Sequence, residues 1–557
     1  MPPVTRRTAP RSLLAALMAA LLLVCAPVTP APAGLFDADE EALGAQEHPK
    51  ILAQFGGAVK DRRLQAYVEG IGRRLAATTE RANEPWTFTV LDSDVINAFA
   101  LPGGYVYITR GLIALAKDEA EVAGVLAHEI GHVTAHHSAQ RQQQQTIAGL
   151  LAAGVGMVLG NPELGQLAGL GGSAVVASYS RAQELEADSL GVETLVRAGY
   201  DPFAMATFLE TMRRYGQLEG LRSGKGESGF DFFASHPATE DRVWKAADLA
   251  RARPPGGRRP VDPYLAAVDG LIWGDSPENG FVRGRSFAHP GLGIAFSVPE
   301  GYSLLNGAEQ VIAKGRTGAA VVFDGGSAPG TRDPVAYLTG VWAKGAQLQG
   351  VQGLTIGGFP AATAVTQGKT EEGAADIRLV AIQFAPDTIY RFTFLSPAGE
   401  LQRFDSDFRQ TANSFHRLTR QEAAGLQPKR IRVVAAQPGD GVEGFVRRMP
   451  QDRYAEELFR IINDIPPGTP LPAGRRVKVI EGADPRIRQA GEPPGDCPDI
   501  SGRVACAPCP TEPRPSHLPA RTPPTPAAGA AGACACPSRR CWSPDSARSC
   551  WRRWRAC

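Results

Sequence analysis

From Ala26 to Asp496 the chain contains no cysteine; of the nine in its 557 residues, Cys25 precedes this stretch and the others follow it. The folded body therefore has no disulfide framework, and its stability has to come from buried apolar surface. An excess of either charge is also missing. The chain has 59 basic and 57 acidic side chains, a formal net charge of +2 that gives no electrostatic footprint for nucleic acid. Apolar runs long enough to cross a bilayer are absent too. Leu13–Val24 falls short of the roughly twenty residues a spanning helix needs. It follows Arg6, Arg7 and Arg11 and precedes Ala31-Pro-Ala33, which reads as a secretory signal peptide with its cleavage site over residues 1–33. The mature chain is expected to be exported to the periplasm. Val24 stands where lipid processing at Cys25 would want a small residue, so lipoprotein anchoring is not expected.

What the chain does have is Leu126-Ala-His-Glu-Ile-Gly-His132. On a helix, His128 and His132 are four residues apart and project from one face. Two imidazoles at that spacing can hold one zinc ion, with Glu129 beside them as base toward a zinc-bound water. The surroundings support a helix. Asp118, Glu119 and Glu121 crowd its start, where the helix dipole favours negative charge. Val122, Val125, Leu126, Ile130 and Val133 then make an apolar stripe at helical spacing.

A second stretch, Ser180-Arg-Ala-Gln-Glu184-Leu-Glu-Ala-Asp188, opens another helix. Ser180 and Gln183 are spaced as a capping box, and Gly199 is the expected stop. Glu184 and Asp188 share a face with Gly191. Two acids on an otherwise apolar helix are costly to bury unless paired or bound to metal. A site with two histidines needs a third protein ligand, for which Glu184 is the candidate. Asp188 suits the outer role of fixing an imidazole's tautomer.

Asn97-Ala-Phe-Ala-Leu-Pro-Gly-Gly104, HEIGH and ELEAD, in that order over about residues 45 to 250, resemble the HtpX-like and BepA-like zinc metallopeptidases. The resemblance implies zinc held by His128, His132 and Glu184, with Glu129 as catalytic base. It also covers Ser235-His-Pro-Ala-Thr-Glu-Asp-Arg242. His236 is read either as an oxyanion donor or occupant of the open zinc position, or as the cap of a helix beginning near Pro237. Arg242 is either an oxyanion helper or an ion-pair partner for Asp188 or Glu186. His136 and His137 lie one turn beyond the pair and are expected to be solvated.

The expected fold class is α+β: a mainly helical zincin-type peptidase domain with a small sheet over 34–250, followed by smaller modules. Asp37 to about Ala82 reads as helical, and Trp86–Val90, Asn97–Ala100 and Tyr105–Thr109 as strands. In peptidases of this shape an edge strand near the metal takes up substrate as an added strand. Residues 147–176 are apolar and glycine-rich, broken at Asn161-Pro162. They read as a helical hairpin on the metal helix, with a lid or membrane-touching flap as the alternative, the latter implying peripheral membrane association. A linker is expected over 251–286, then an α+β accessory domain over 287–418 with no clustered titratable set. Segments within 428–482 resemble a LysM-like β-α-α-β unit, a family that binds peptidoglycan-type glycans, although Gly441 stands where a hydroxyl residue is usual. The Pro-, Ala-, Arg- and Cys-rich tail over 483–557 has no composition for a core.

The expected activity is that of an exported zinc-dependent endopeptidase acting on unfolded or misassembled envelope proteins. Its expected partners are polypeptide substrates, the outer-membrane assembly machinery and peptidoglycan. The alternative is a latent-protease chaperone or scaffold for outer-membrane or cell-wall assembly. A peptidoglycan amidase is disfavoured, because HExxH with a downstream glutamate is peptide-bond chemistry.

Overall fold

Two adjacent glycines, Gly56 and Gly57, both take positive φ and break the amino-terminal helical region in two. The result is α1 (Gly34–Gln54) and α2 (Arg62–Ala76), the second capped by Asp61. The computed structural model describes residues 34–137, 179–223, 236, 239–315, 318–328, 330, 332–370, 373–450 and 452–482. The expected signal peptide over 1–33, the apolar stretch 147–176 and the tail over 483–557 lie outside the described residues.

Strands β1 (Thr87–Leu91), β2 (Ala98–Leu101) and β3 (Tyr105–Thr109) form a sheet in the order β1-β3-β2. β3 is parallel to β1 and antiparallel to β2. The β2–β3 turn uses Gly103 and Gly104 at positive φ. Strand alternation sends Ala98, Ala100, Val106 and Ile108 to the main apolar core. Phe99, Leu101, Tyr105 and Tyr107 face the other way and pack with Ile51 and Leu52 of α1 and with Phe55 just after it.

Helices α3 (Arg110–Leu115), α4 (Glu119–Thr134), α5 (Arg181–Arg197), α6 (Phe203–Ser223) and α7 (Glu240–Arg251) complete this part. α4 is central, with every residue from Glu119 to Val133 buried. It is the expected HEIGH helix, started by Asp118, whose side chain accepts from the Glu121 amide at 2.9 Å. α5 carries the expected capping box and stops before Gly199, at φ +77°.

The stretch expected to be a linker is structured within this body. It holds α8 (Asp262–Val268), whose Tyr264 is fully buried, and β4 (Ile272–Trp273). The accessory segment folds around two sheets. The first has β5 (Phe281–Arg283), β6 (Ser286–His289), β7 (Ile294–Ser297) and a short pairing of His416–Arg417 with β7. The second is a seven-stranded antiparallel sheet built from the strands between Tyr302 and Pro397. Phe296, Phe323, Phe392, Phe394, Phe408 and Phe415 fill one core there. Four strands of this sheet, Tyr302–Asn306, Gln310–Gly315, Gln349–Ile356 and Phe359–Thr370, carry little strand signal in the sequence. The first and third lie at its edges, where half-exposed residues blur the alternation that marks a strand.

Strands Lys429–Ala435 and Arg476–Glu481 pair antiparallel, with helices Val442–Val446 and Ala455–Asn463 between them, so a β-α-α-β order is present. β4 adds a third strand to this pair. The unit has no core of its own. Ile431, Phe445, Phe459, Ile462, Val477 and Val479 belong to the same apolar cluster as Leu112, Leu126 and Tyr264 of the helical part. Lys478 is buried and reaches across it: its Nζ donates to Ala114 O at 2.8 Å, to Tyr264 Oη at 2.9 Å and to Ala116 O. No helix among the described residues is long and apolar enough to cross a membrane.

Candidate metal centre

Helices α4 and α5 approach closely because each presents a glycine to the other. A Cβ on Gly191 would lie 3.2 Å from the backbone nitrogen of His128, and one on Gly131 would lie 3.0 Å from Ala187 O. This contact faces HEIGH toward ELEAD. His236 joins them from the segment ahead of α7. Ligand atoms of His128, His132, Glu184 and His236, all buried, lie within 4.8 Å of one another.

The Nε2 atoms of His128 and His132 are 3.1 Å apart. Glu184 is 3.6 Å from the first and 3.5 Å from the second, and its Oε1 lies 2.8 Å from His236 Nδ1. His128 turns its other nitrogen to Asp188 at 2.9 Å. Arg242 is clamped between the two acids of α5. It donates to both Asp188 oxygens, at 2.8 and 2.7 Å, and lies 2.6 Å from Glu184 Oε2. Of the two readings of Arg242, the geometry gives the ion pair, and with Glu184 as well as Asp188 in place of Glu186. His236 does not cap α7. Thr239 does, accepting from the Arg242 amide.

The expectation that His137 is solvated is overturned. It is 1% exposed and its Nδ1 lies 2.9 Å from His132 Nδ1, while Glu186 approaches its Nε2 at 3.3 Å. The cause is local: α4 ends at Thr134, and His136 takes φ +54°, so the chain folds back instead of continuing one turn along. His136 itself is exposed, 3.1 Å from Glu40. Tyr179, also unforeseen, stacks on the His132 ring at 3.9 Å between centroids and 20° between planes. Its one sequence signal is an aromatic immediately before the Ser180 cap.

Burial pulls the His128 imidazole down, but Asp188 and Glu184 outweigh it and raise the ring above its ordinary value. Burial raises the Glu129 carboxyl above its usual range, against the pull of His236 and His128. For Glu184, burial is outweighed by His236 and His132, and the carboxyl stays ionised far below its usual range. For Asp188, burial is outweighed by Arg242 and His128, which hold it at about 2. Burial drives His132 well below the ordinary imidazole value. Glu129, Glu184 and Asp188 are thus three buried carboxyl groups facing one buried guanidinium, and Glu129 Oε2 has no hydrogen-bond partner among the described residues. Imidazole and carboxylate donors converging on one point are the donor types that fit a zinc ion.

Residues 62–250 match the family model "Peptidase family M48". This segment is an M48 peptidase domain. The chain is 32% identical over 239 residues to the beta-barrel assembly-enhancing protease of Yersinia pestis, covering 41% of this chain and 48% of that protein. It is 31% identical over 172 residues to metalloprotease LoiP of Escherichia coli K12, covering 30% and 64% respectively. Over 217 residues it is 28% identical to the mitochondrial metalloendopeptidase OMA1 of Schizosaccharomyces pombe, covering 37% and 59%. The chain spans about half the length of the beta-barrel assembly-enhancing proteases it matches. All of the donors described above lie inside the M48 domain, and the accessory sheets lie outside it.

Proposed function

We propose that this chain is an exported zinc endopeptidase that cleaves unfolded or misassembled proteins of the cell envelope. The observation that carries this reading is the meeting of His128, His132 and Glu184 from two helices, with the unpartnered carboxyl oxygen of Glu129 beside them. His128, His132 and Glu184 would hold the ion. When bound, zinc supplies a Lewis acid that polarises the peptide carbonyl and makes water acidic near neutral pH. Glu129 takes the proton of the attacking water and delivers it to the leaving amine, a task its raised carboxyl pKa suits. Asp188 holds His128 by Nδ1, and Arg242 holds Asp188 and Glu184 in place. Substrate adds to the free edge of β2, where main-chain hydrogen bonds bind polypeptide with little regard to sequence. The envelope location and an outer-membrane assembly partner draw support from the name of the relatives, and peptidoglycan contact from the LysM-like order of elements.

The test compares cleavage of casein by the wild type and by Glu129→Gln, with and without a chelator. The variant is expected to keep its zinc and lose about 10²–10⁴-fold in rate. Cleavage at the wild-type rate would remove Glu129 as the base.

One observation favours the second reading, a latent protease acting as chaperone or scaffold: His236 Nδ1 sits within the donor set. Under it, His236 fills the position that water and substrate need and has to leave before turnover. His236→Ala then raises zinc-dependent cleavage of an unfolded substrate. Under the first reading, in which His236 assists, the same change lowers it.

A further inference from the structure

We propose that His137 and Glu186 act as a proton-fixing relay that sets the tautomer of His132, so that its Nε2 presents a lone pair to the metal. The inference rests on the zinc-site reading above. A carboxylate only accepts hydrogen bonds, so Glu186 Oε2, 3.3 Å from His137 Nε2, assigns the ring hydrogen of a neutral His137 to that nitrogen. His137 Nδ1 is then an acceptor. It lies 2.9 Å from His132 Nδ1, which must therefore donate. The hydrogen of His132 is thus placed on Nδ1, and Nε2 faces Glu184 and His128 as a bare lone pair. Were the relay reversed, His132 Nε2 would carry a hydrogen aimed at the donor cluster and could not ligate.

The two ligand imidazoles are thus oriented by different devices. His128 has a carboxylate directly on Nδ1, at 2.9 Å, and that carboxylate is buried against Arg242. His132 has a neutral ring on Nδ1, and the carboxylate stands one residue further out with its side chain 61% exposed. Tyr179, stacked on the His132 ring at 3.9 Å, limits rotation of its plane but supplies no hydrogen-bond sense along Nδ1. The relay is the only described contact on His132 Nδ1 that selects a tautomer. It also joins the two helices a second time, since Glu186 comes from α5, two residues beyond Glu184, while His137 follows α4.

The test measures zinc dissociation constants of the full chain by competition with a chromophoric chelator. His137→Phe keeps an aromatic ring and loses the acceptor; His137→Asn offers an amide oxygen as acceptor in its place. Loss of an outer hydrogen bond of this kind weakens metal binding by about 10–100-fold, the result expected for Phe, with Asn recovering most of the loss. Glu186→Ala, a change at the surface that leaves the core intact, is expected to weaken zinc by a few-fold. Equal affinity of His137→Phe and wild type overturns the relay. So does an Asn variant as weak as Phe, because packing alone would then account for the loss. Should His137→Phe not fold, unchanged affinity in Glu186→Ala overturns it. If the wild type itself takes up no zinc, the proposed function fails as well, whereas a zinc-loaded wild type with unaffected variants sinks the relay alone.

Discussion

Arg242 shows how much of this centre depends on one buried charge. It is 3% exposed and stands between Asp188 and Glu184, whose carboxylates would otherwise repel each other in a low-dielectric interior. Removing one partner of a buried ion pair costs about 3–5 kcal/mol, because the charge left behind has no solvent. Arg242→Met is therefore expected to lower unfolding stability by that order in the metal-free protein, measured by chemical denaturation. On the proposed function, zinc would bind only the folded form and add positive charge at the same place, so saturating zinc should restore part of the loss. An Arg242→Met variant as stable as wild type without metal would show that Asp188 and Glu184 are neutral or solvated.

At the scale of elements, the close approach of α4 and α5 decides whether the donors meet. Glycine in the middle of a helix ordinarily costs about 0.5–1 kcal/mol relative to alanine. Gly70, exposed in α2 with nothing within 4 Å of an added Cβ, should follow that rule, and Gly70→Ala should stabilise by about that amount. Gly191 should not. Its added Cβ would meet the flexible end of Met205 at 2.7 Å, which can move, and the His128 backbone nitrogen at 3.2 Å, which cannot move without carrying the His128 imidazole along. Gly191→Ala is expected to lose the helix-propensity gain to overpacking of about 1–3 kcal/mol and to bind zinc more weakly. Thermal melts of the two variants side by side, with zinc titration, check this; a gain in both would mean the helices part freely.

For the whole molecule, the informative residue is Lys478, some 350 residues after the HEIGH helix yet packed beside its start. Its ammonium is buried against the carbonyls that end α3 and against Tyr264, close to Glu121 and Asp118 and to the like charge of Lys117. Burial lowers it from the ordinary lysine value of 10.5 to about 7. Between those two values the unfolded chain holds a proton that the folded chain has released, so folding stability rises with pH across that window. Below about pH 7 the cost of the buried charge is present in full. Urea denaturation from pH 7 to 10 should therefore show the wild type gaining stability relative to Lys478→Met, and a constant difference would place Lys478 in solvent. Residues 429–481 share the apolar cluster of the M48 domain. Truncation before Lys429 should accordingly destabilise the peptidase part rather than leave it intact.

Much of the site could be read from local sequence, because the forces that shape it act over a few residues. Helical spacing pairs His128 with His132 and Glu184 with Asp188, Asp118 and Ser180 cap the two helices, and Gly199 ends the second. Those features depend on backbone hydrogen bonds and side-chain periodicity, which the chain carries wherever it folds. The fold-back of His137 depended on a single left-handed residue, His136, that no periodicity announces. Only tertiary packing could decide that Arg242 sits between two acids, that Tyr179 stacks on His132, and that β4 and the β-α-α-β unit complete the peptidase core instead of standing apart. Burial is a property of what lies on the other side of a surface. Two apolar strands hundreds of residues away look the same in sequence whether they cover each other or a neighbouring helix.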